Sequence, residues 1–454
     1  MNEGQREIEV FIPFTFLEPL DPSNINTVGN QLLAEHLFAS ITEVGSLGQQ
    51  VGSFATTKID SKNKTLTIFF NQEIKGSSGK PISIEEIKLQ IESKIKNSQH
   101  LKFEGIFASI RHIEKSIEIK FKEFPSNILS FLRLPEMLVL DPAYTPINFG
   151  THENLSFTGP FSLTEFNSKK AVLKKNIFFP KELRANLVEK ITINVYENEQ
   201  VSDIIESVVK GRSRAAYLYS IALEDKDFKK LESRKISKIV NTSDWLVLSF
   251  MGEKLAKKIK EKIRKTLTDS PVPKVGSKTT SSVIGVDHST ISVKQSMDEG
   301  IVHEYLEVAI LRDWMSFPYF KKLVEGLKKN FNVKIIVIEK KNIMSLYSGE
   351  YDLSLAILGM SKSDHIAHFN FLKSVNSKVA EVFSDNLINK IATEFDLKKR
   401  KEATKLAEQL LLDKFVILPL ATFPGINIFS TNMIPDQNLY GSWGVRTWQL
   451  EIND

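Results

Sequence analysis

The chain contains no cysteine in 454 residues. Disulfides, thiolate metal sites and thiol nucleophiles are therefore excluded, a composition that suits a cytosolic and a periplasmic chain equally. No apolar run approaches the roughly 18–20 residues that a membrane-spanning helix needs. The first residues, MNEGQREIEVFIP, lack the apolar core of a signal peptide. The expectation is thus either a cytosolic protein or a sequence that starts at a processed end. The charge excess is small, 60 Lys and Arg against 55 Asp and Glu, and does not itself call for nucleic acid or an anionic membrane. Catalytic signatures are missing too. GxxxxGK[ST] is absent, no GxGxxG opens a helix, and there is no GxSxG or HExxH. His303-Glu304 is followed by Tyr305, with no second histidine in register. His365 and His368 stand three apart beside Asp364 and can bind a metal if helical, but a polar loop and helix surface is the preferred reading. No catalytic residue, metal ligand or cofactor is assigned.

What is present is an ordinary globular composition, 42% hydrophobic and 25% charged, long enough for two or three domains. The most informative stretch is GEYDLSLAILGMSKSDHIAHFNFL, from Gly349 to Leu372. Leu353 to Leu358 reads as a strand covered on both faces. It stops at Gly359, and the polar loop Ser361, Lys362, Ser363, Asp364, His365 follows. Ligands of open α/β sheets sit beyond the carboxyl ends of the strands, which makes this loop a candidate clamp. Before it, Val308–Leu311, a helix around 320–327 and Val333–Ile338 alternate as strand, helix, strand, the pattern of a parallel α/β unit.

Elsewhere, Ile8–Phe16 looks like a first strand, and a helix is predicted from Asn30. Ser83 with Glu86 predicts a capping box for a helix that buries Ile84, Ile87, Ile91 and Ile95. Asp396 is a predicted N-cap for a helix whose Ala403, Leu406, Ala407, Leu410 and Leu411 share a face. Pro419 argues that the strand 415–420 is an edge or a strand end. Lys254–Lys265 is a basic amphipathic helix, read as a solvated face, and 270–292 as a long connection.

The order of these features resembles the extracytoplasmic solute-binding proteins of ABC importers, family 5, the peptide, nickel and opine group. Leu20-Asp21-Pro22 precedes a helix ending HLFASI. Gly79-Lys80-Pro81-Ile82-Ser83-Ile84-Glu85-Glu86-Ile87 is similar to the family's Gly-Thr-Pro-Val-Thr-Ala-Glu-Asp-Val. Thr158-Gly159-Pro160-Phe161 and Gly349-Glu350-Tyr351-Asp352 match two further turns. Ile417-Leu418-Pro419-Leu420 resembles a late Val-Ile-Pro-Leu strand.

The resemblance implies an α/β, two-lobed periplasmic-binding-protein-like clamp of type II, with an extra subdomain in lobe one. Lobe one would comprise 1–245 and the returning tail 423–454, with the subdomain at about 33–148. Lobe two would be 246–422, and two crossing strands would form the hinge. In peptide binders an Asp of the loop pairs with the ligand's α-amine, so Asp364 is carried over, with Ser363 competing and Ser361 and Met360 beside it. Asn26, Thr27 and Val28 fall where lobe one contacts ligand backbone, and Trp245 and Thr422 fall at the hinge. The implied function is capture of a peptide or similar small solute and delivery to an ABC permease. The implied protein is a monomer outside the cytoplasm, with no nucleic-acid partner. A signal sequence or lipid tether would lie outside this chain, and membrane contact would come only through such a tether or the permease. Met360 replaces the family's usual aromatic, and Ile366-Ala367 its Asp-Pro. Two alternatives stay open: a diverged sensor or partner-docking module, and a carrier of metal chelate or haem through His365 and His368.

Overall fold

In the computed structural model, the residues described are 7–25, 27–41, 43–44, 50–51, 54–97, 107–125, 128, 132, 137–150, 155–180, 188–232, 236–240, 245–252, 255–269, 278–279, 305–359, 365–383, 385–394, 396–414, 416–430, 433–435, 440–441, 444–445 and 450–452. Two large mixed sheets dominate. The first has seven strands in the order Phe161–Asn167, Lys170–Lys175, Lys190–Val195, Glu7–Ile12, Ala215–Tyr219, Gly425–Ser430, Ile236–Val240. Glu7–Ile12 runs parallel to both of its neighbours. Its Ile8, Val10 and Ile12 alternate into the core, the two-residue period of a strand buried mainly on one face. Ala215–Tyr219 is buried throughout, because the helix Val201–Val209 covers its other side with Val201, Ile204, Ile205 and Val208.

The second sheet has six strands, ordered Lys278–Thr279, Ile417–Phe423, Trp245–Met251, Leu353–Gly359, Leu306–Leu311, Val333–Ile338. Leu306–Leu311 is parallel to both of its neighbours. The helix Pro318–Asn330 makes the crossover to Val333–Ile338 and buries Phe320, Leu323 and Leu327. Trp245–Met251 is antiparallel to the strands on either side and wholly buried. A four-stranded antiparallel sheet, ordered Ala55–Asp60, Thr65–Phe70, Ser116–Phe121, Phe107–Ile113, forms a third, smaller layer. Helix Ile84–Asn97 packs on it through Ile87, Ile91 and Ile95. Its capping box is present: the Ser83 N–H donates to Glu86 Oε2 (2.7 Å) and the Glu86 N–H to Ser83 Oγ (3.2 Å).

Among the described residues the chain passes between the two large sheets twice. It leaves the first after Val240 and joins the second at Trp245. It returns between Phe423 and Gly425, with Pro424 alone intervening. Trp245 and Phe423 face each other in the antiparallel ladder.

Several details differ from the sequence expectation. The first strand ends at Ile12, not Phe16, since Pro13 closes the ladder. The basic helix is Lys257–Thr268. Within 270–292 only Lys278–Thr279 belongs to the described residues, as a two-residue strand. Pro419 lies inside the strand Ile417–Phe423, at the register shift opposite Val247 and Leu248, and beyond the reach of Lys278–Thr279, which pairs only with Thr422 and Ala421. A proline is tolerated there because, among the described residues, the strand has a ladder partner on one side only at that position, so the edge reading holds locally. Helix Leu397–Asp413 does start at an Asp396 cap, whose carboxylate accepts the Lys398 and Lys399 N–H groups. Its buried face, however, is Ala403, Thr404, Ala407, Glu408, Leu411 and Leu412, whereas Leu406 is 55% exposed. Ala403, Ala407 and Leu411 face inward as expected, but the stripe is rotated toward Thr404, Glu408 and Leu412 and away from Leu406.

That phase makes a prediction. Leu411→Ala should destabilise by about 2–5 kcal/mol, as expected for a buried leucine. Leu406→Ala should stay within about 0.5 kcal/mol of the parent. The measurement is the shift of the urea unfolding midpoint; equal shifts would contradict the observed packing.

Candidate functional site

Parallel strands of both sheets end at a common cavity of about 750 Å³. From the first sheet it receives Phe14 and Thr15 after Glu7–Ile12, Tyr196 to Glu199 after Lys190–Val195, and Tyr219 at the end of Ala215–Tyr219. From the second it receives Arg312 to Phe317 after Leu306–Leu311, Lys340 to Tyr347 after Val333–Ile338, and Ile357 to Gly359. The crevice beyond the carboxyl ends of parallel strands is the usual ligand position in open α/β sheets, and here two such ends face each other.

Helix Val28–Leu37 is fixed against one wall by local polar contacts. Thr27 caps it, its side chain accepting the Asn30 N–H at 3.2 Å. The Asn30 amide then clasps the backbone of Leu17, accepting its N–H (3.0 Å) and donating to its carbonyl (2.8 Å). Gly29 allows the close approach, since a Cβ there would lie 2.6 Å from the Thr15 carbonyl oxygen. Thr27 and Val28 are thereby held on the cavity wall.

The floor is aromatic. Trp245 stacks on Phe14 (centroids 5.7 Å, 28°) and on Phe423 (6.4 Å, 14°), and Tyr219 meets it edge-on at 4.9 Å. The Trp245 indole N–H donates to Tyr217 Oη at 2.5 Å. Burial holds the Tyr219 phenol well above its ordinary pKa, with the neighbouring Tyr217 adding to the shift, so it stays neutral. Tyr347 donates to the Ile357 carbonyl (2.8 Å), and burial likewise raises its pKa.

Polar contacts bridge the two sides. Asn198 Nδ2 donates to the Asp313 carbonyl (2.7 Å) and to Ser316 Oγ (3.0 Å). The Lys340 ammonium pairs with the Asp313 carboxylate and donates to Thr15 Oγ1 on the opposite wall. Glu197 accepts from Lys169 at 2.9 Å, and that bond holds its pKa below the ordinary glutamate value.

Of the residues singled out from the sequence, Thr27, Val28 and Trp245 line the cavity together. Thr422 does not. It sits opposite Leu246 in the ladder, one residue before Phe423, and alternation turns it to the other face of the sheet. Asn26, Met360, Ser361, Ser363 and Asp364 lie outside the described residues. His365 and His368 open the helix His365–Val375, and their side chains are likewise outside the described set. Among the described residues no cluster of three or more His, Asp or Glu could hold a metal ion, and no helix is long and apolar enough to cross a membrane. The sequence reading missed Asn198, Asp313, Ser316 and Lys340. The signal was available: each follows the carboxyl end of a parallel strand, the rule applied to Leu353–Gly359 alone.

No family model matches the chain, and no curated protein matches it by sequence. Solved structures do match in fold. A dipeptide binding protein from Pseudoalteromonas sp. SM9913, in complex with Met-Leu, has a TM-score of 0.79 at 12% identity, over 98% of this chain and 100% of its own. The murein tripeptide binding protein MppA of Escherichia coli gives 0.78 at 14% identity, over 99% of each chain. NikA from Staphylococcus aureus, in complex with Ni(L-His)2, gives 0.75 at 14% identity, over 99% of this chain and 100% of its own. The fold is therefore that of the two-lobed periplasmic binding proteins, along essentially the whole chain.

The Asn30 clasp can be tested directly. Asn30→Ala removes both bonds to Leu17 and should destabilise by about 1–3 kcal/mol, the range for a buried hydrogen-bond partner left unmade. Gly29→Ala, which drives a methyl group into the Thr15 carbonyl, should also lower the denaturation midpoint. A Gly29→Ala protein as stable as the parent would show that this wall is not closely packed.

Proposed function

We propose that the chain is an extracytoplasmic solute-binding protein of the family 5 type, which captures a peptide or similar small solute between its lobes and hands it to an ABC permease. The observation that carries this reading is the cavity itself. Half of its wall comes from each sheet, at the carboxyl ends of the parallel strands, and the two halves touch through Asn198 and Lys340. A site so divided is completed only when the halves meet, the geometry of hinge closure around a ligand. The proposed lobes are 1–245 with 423–454, carrying a subdomain at about 33–148, and 246–422. The two antiparallel strands at Trp245–Met251 and Ile417–Phe423 lie where the chain changes sheet and serve as the pivot. Asp364, with Ser363 next to it, is proposed to receive the ligand's α-amine, and Thr27 and Val28 to meet its backbone. Binding, with no bond made or broken, is the whole activity. The structural neighbours named above are binding proteins.

Ligand binding to the folded state alone stabilises it by about 2.7 kcal/mol at a hundredfold excess over Kd. A peptide mixture should therefore raise the melting temperature by several degrees, and native mass spectrometry of protein purified without refolding should retain a peptide-sized adduct. Asn198→Ala should leave the unliganded melting temperature nearly unchanged yet weaken binding about tenfold, because two cross-cleft hydrogen bonds are lost. Absence of any melting shift with peptides, amino acids or Ni(L-His)2, together with no retained adduct, would refute solute capture.

A further inference from the structure

Helices Lys257–Thr268 and Pro318–Asn330 pack side by side. The first carries six cations and one carboxylate, Glu261, which pairs with Lys257 at 3.9 Å. The second carries four lysines and one carboxylate, Glu325. The pair is thus net +8 in a chain that is net +5, so the rest of the chain together is net −3. Ile263 and Leu267 of one helix and Phe320, Leu323 and Leu327 of the other turn inward. Lys258, Lys262 and Lys265, spaced to share one helix face, are left exposed, as are Lys321, Lys322, Lys328 and Lys329.

This surface has a defined place. Helix Pro318–Asn330 starts next to Phe317 on the cavity wall, and its 13 residues carry it roughly 20 Å away. At its far end Lys262 donates to the Asn330 carbonyl (3.1 Å), and Asn330 Nδ2 donates to Thr266 Oγ1 (3.3 Å). Two aromatic rings stand at the same end. Lys262 Nζ lies 4.9 Å from the Phe331 ring centroid, and Lys334 Nζ lies 4.9 Å from that of Tyr305, which is 40% exposed. The further carboxylates here are Asp269, one residue past the first helix, and Glu307, which holds Lys334 at 2.9 Å.

We propose that this basic end of the second sheet, remote from the cavity, docks on an anionic phospholipid membrane. Exposed ammonium groups on flexible stems meet headgroup phosphates, and rings set among lysines suit the headgroup layer. An acidic permease surface fits less well, because a permease takes its solute at the cavity, the other end of helix Pro318–Asn330. Docked in this way, the chain keeps its cavity open to solute. The docking needs no ligand, so it stands or falls apart from the capture reading.

Sedimentation of the full chain with vesicles tests this. Phosphatidylcholine vesicles containing about one third phosphatidylglycerol should bind the protein at low salt, and pure phosphatidylcholine should not. Binding should be lost at about 0.5 M salt, where charges are screened within a few ångströms. Each lysine near an anionic surface contributes roughly fivefold. Lys258→Gln, Lys265→Gln, Lys328→Gln and Lys329→Gln combined should therefore weaken binding at least about a hundredfold, and the last two alone about twentyfold. Lys398→Gln, Lys399→Gln, Lys401→Gln and Lys405→Gln make the same charge change on helix Leu397–Asp413, which packs on Asp385–Thr393 and Ser377–Val382. That protein should bind within about fivefold of the parent. Melting curves check that each variant is folded, and the parent's lipid and salt dependence is read without any variant. Equal losses in the two fourfold variants would show adsorption by net charge and overturn the docking surface. Equal binding to both vesicle types, or binding to neither, would overturn it as well. Salt-sensitive binding to polyglutamate without binding to anionic vesicles would replace the membrane with an acidic protein partner.

Discussion

The register that sets Trp245 opposite Phe423 is the constraint on which the molecule depends. That ladder holds the point where the chain enters the second sheet against the point where it leaves. Two residues past Phe423 the backbone is already in the first sheet, as Gly425. A one-residue slip of either strand would exchange the faces of its side chains and expel Trp245 from its stack on Phe14 and Phe423. Gly425 guards the same point. A Cβ there would lie 1.8 Å from Tyr217 Oη, the atom that accepts the Trp245 indole N–H. The crossing is therefore specified three times, by ladder register, by aromatic stacking and by one hydrogen bond that only a glycine leaves room for.

Contacts at the crossing and contacts across the cleft are of different kinds. Trp245, Tyr217, Tyr219 and Phe423 are buried, and aromatic packing of this sort adds to a large area removed from water. Asn198 and Lys340, by contrast, join the walls through individual hydrogen bonds from half-buried side chains. Such contacts contribute modestly in water and are the first to yield. On the capture reading this division has a purpose. The pivot keeps its structure while the cross-cleft contacts form and break, and a bound solute supplies what the polar bridges alone lack.

Much of the fold was legible because it is written in local patterns. Ser83 with Glu86, Asp396 before its helix and the apolar run Leu353 to Leu358 each announce an element through short-range physics, and each is found in place. The order of such elements carried the architecture. What was not legible depends on contacts remote in sequence. Thr15 and Lys340 are 325 positions apart, and nothing near either one marks it as the other's partner. Helix phase failed for a related reason. Helical spacing put Leu406 on one face with Ala403, Ala407, Leu410 and Leu411, yet the buried stripe is rotated to take in Thr404 and Glu408 instead. Pro419 was read as an edge or strand-end signal; it stands inside the strand, yet among the described residues it is paired on one side only, by Leu248. Trp245 is buried and also lines the cavity floor, because the core and the cavity meet there.

The position of Gly425–Ser430 in the first sheet has a further consequence. This strand lies between Ala215–Tyr219 and Ile236–Val240, two segments made some two hundred residues earlier. Until residue 430 has left the ribosome the sheet has an empty slot in its interior, and the strands flanking it offer unpaired backbone groups. A nascent chain can therefore build the four-stranded layer and much of the second sheet, but the first sheet cannot close during synthesis. Non-local closure of this kind is slow and leaves edges open to wrong partners. A polypeptide with that timetable completes its first sheet only when synthesis is nearly over, so the last thirty or so residues decide whether the rest is native.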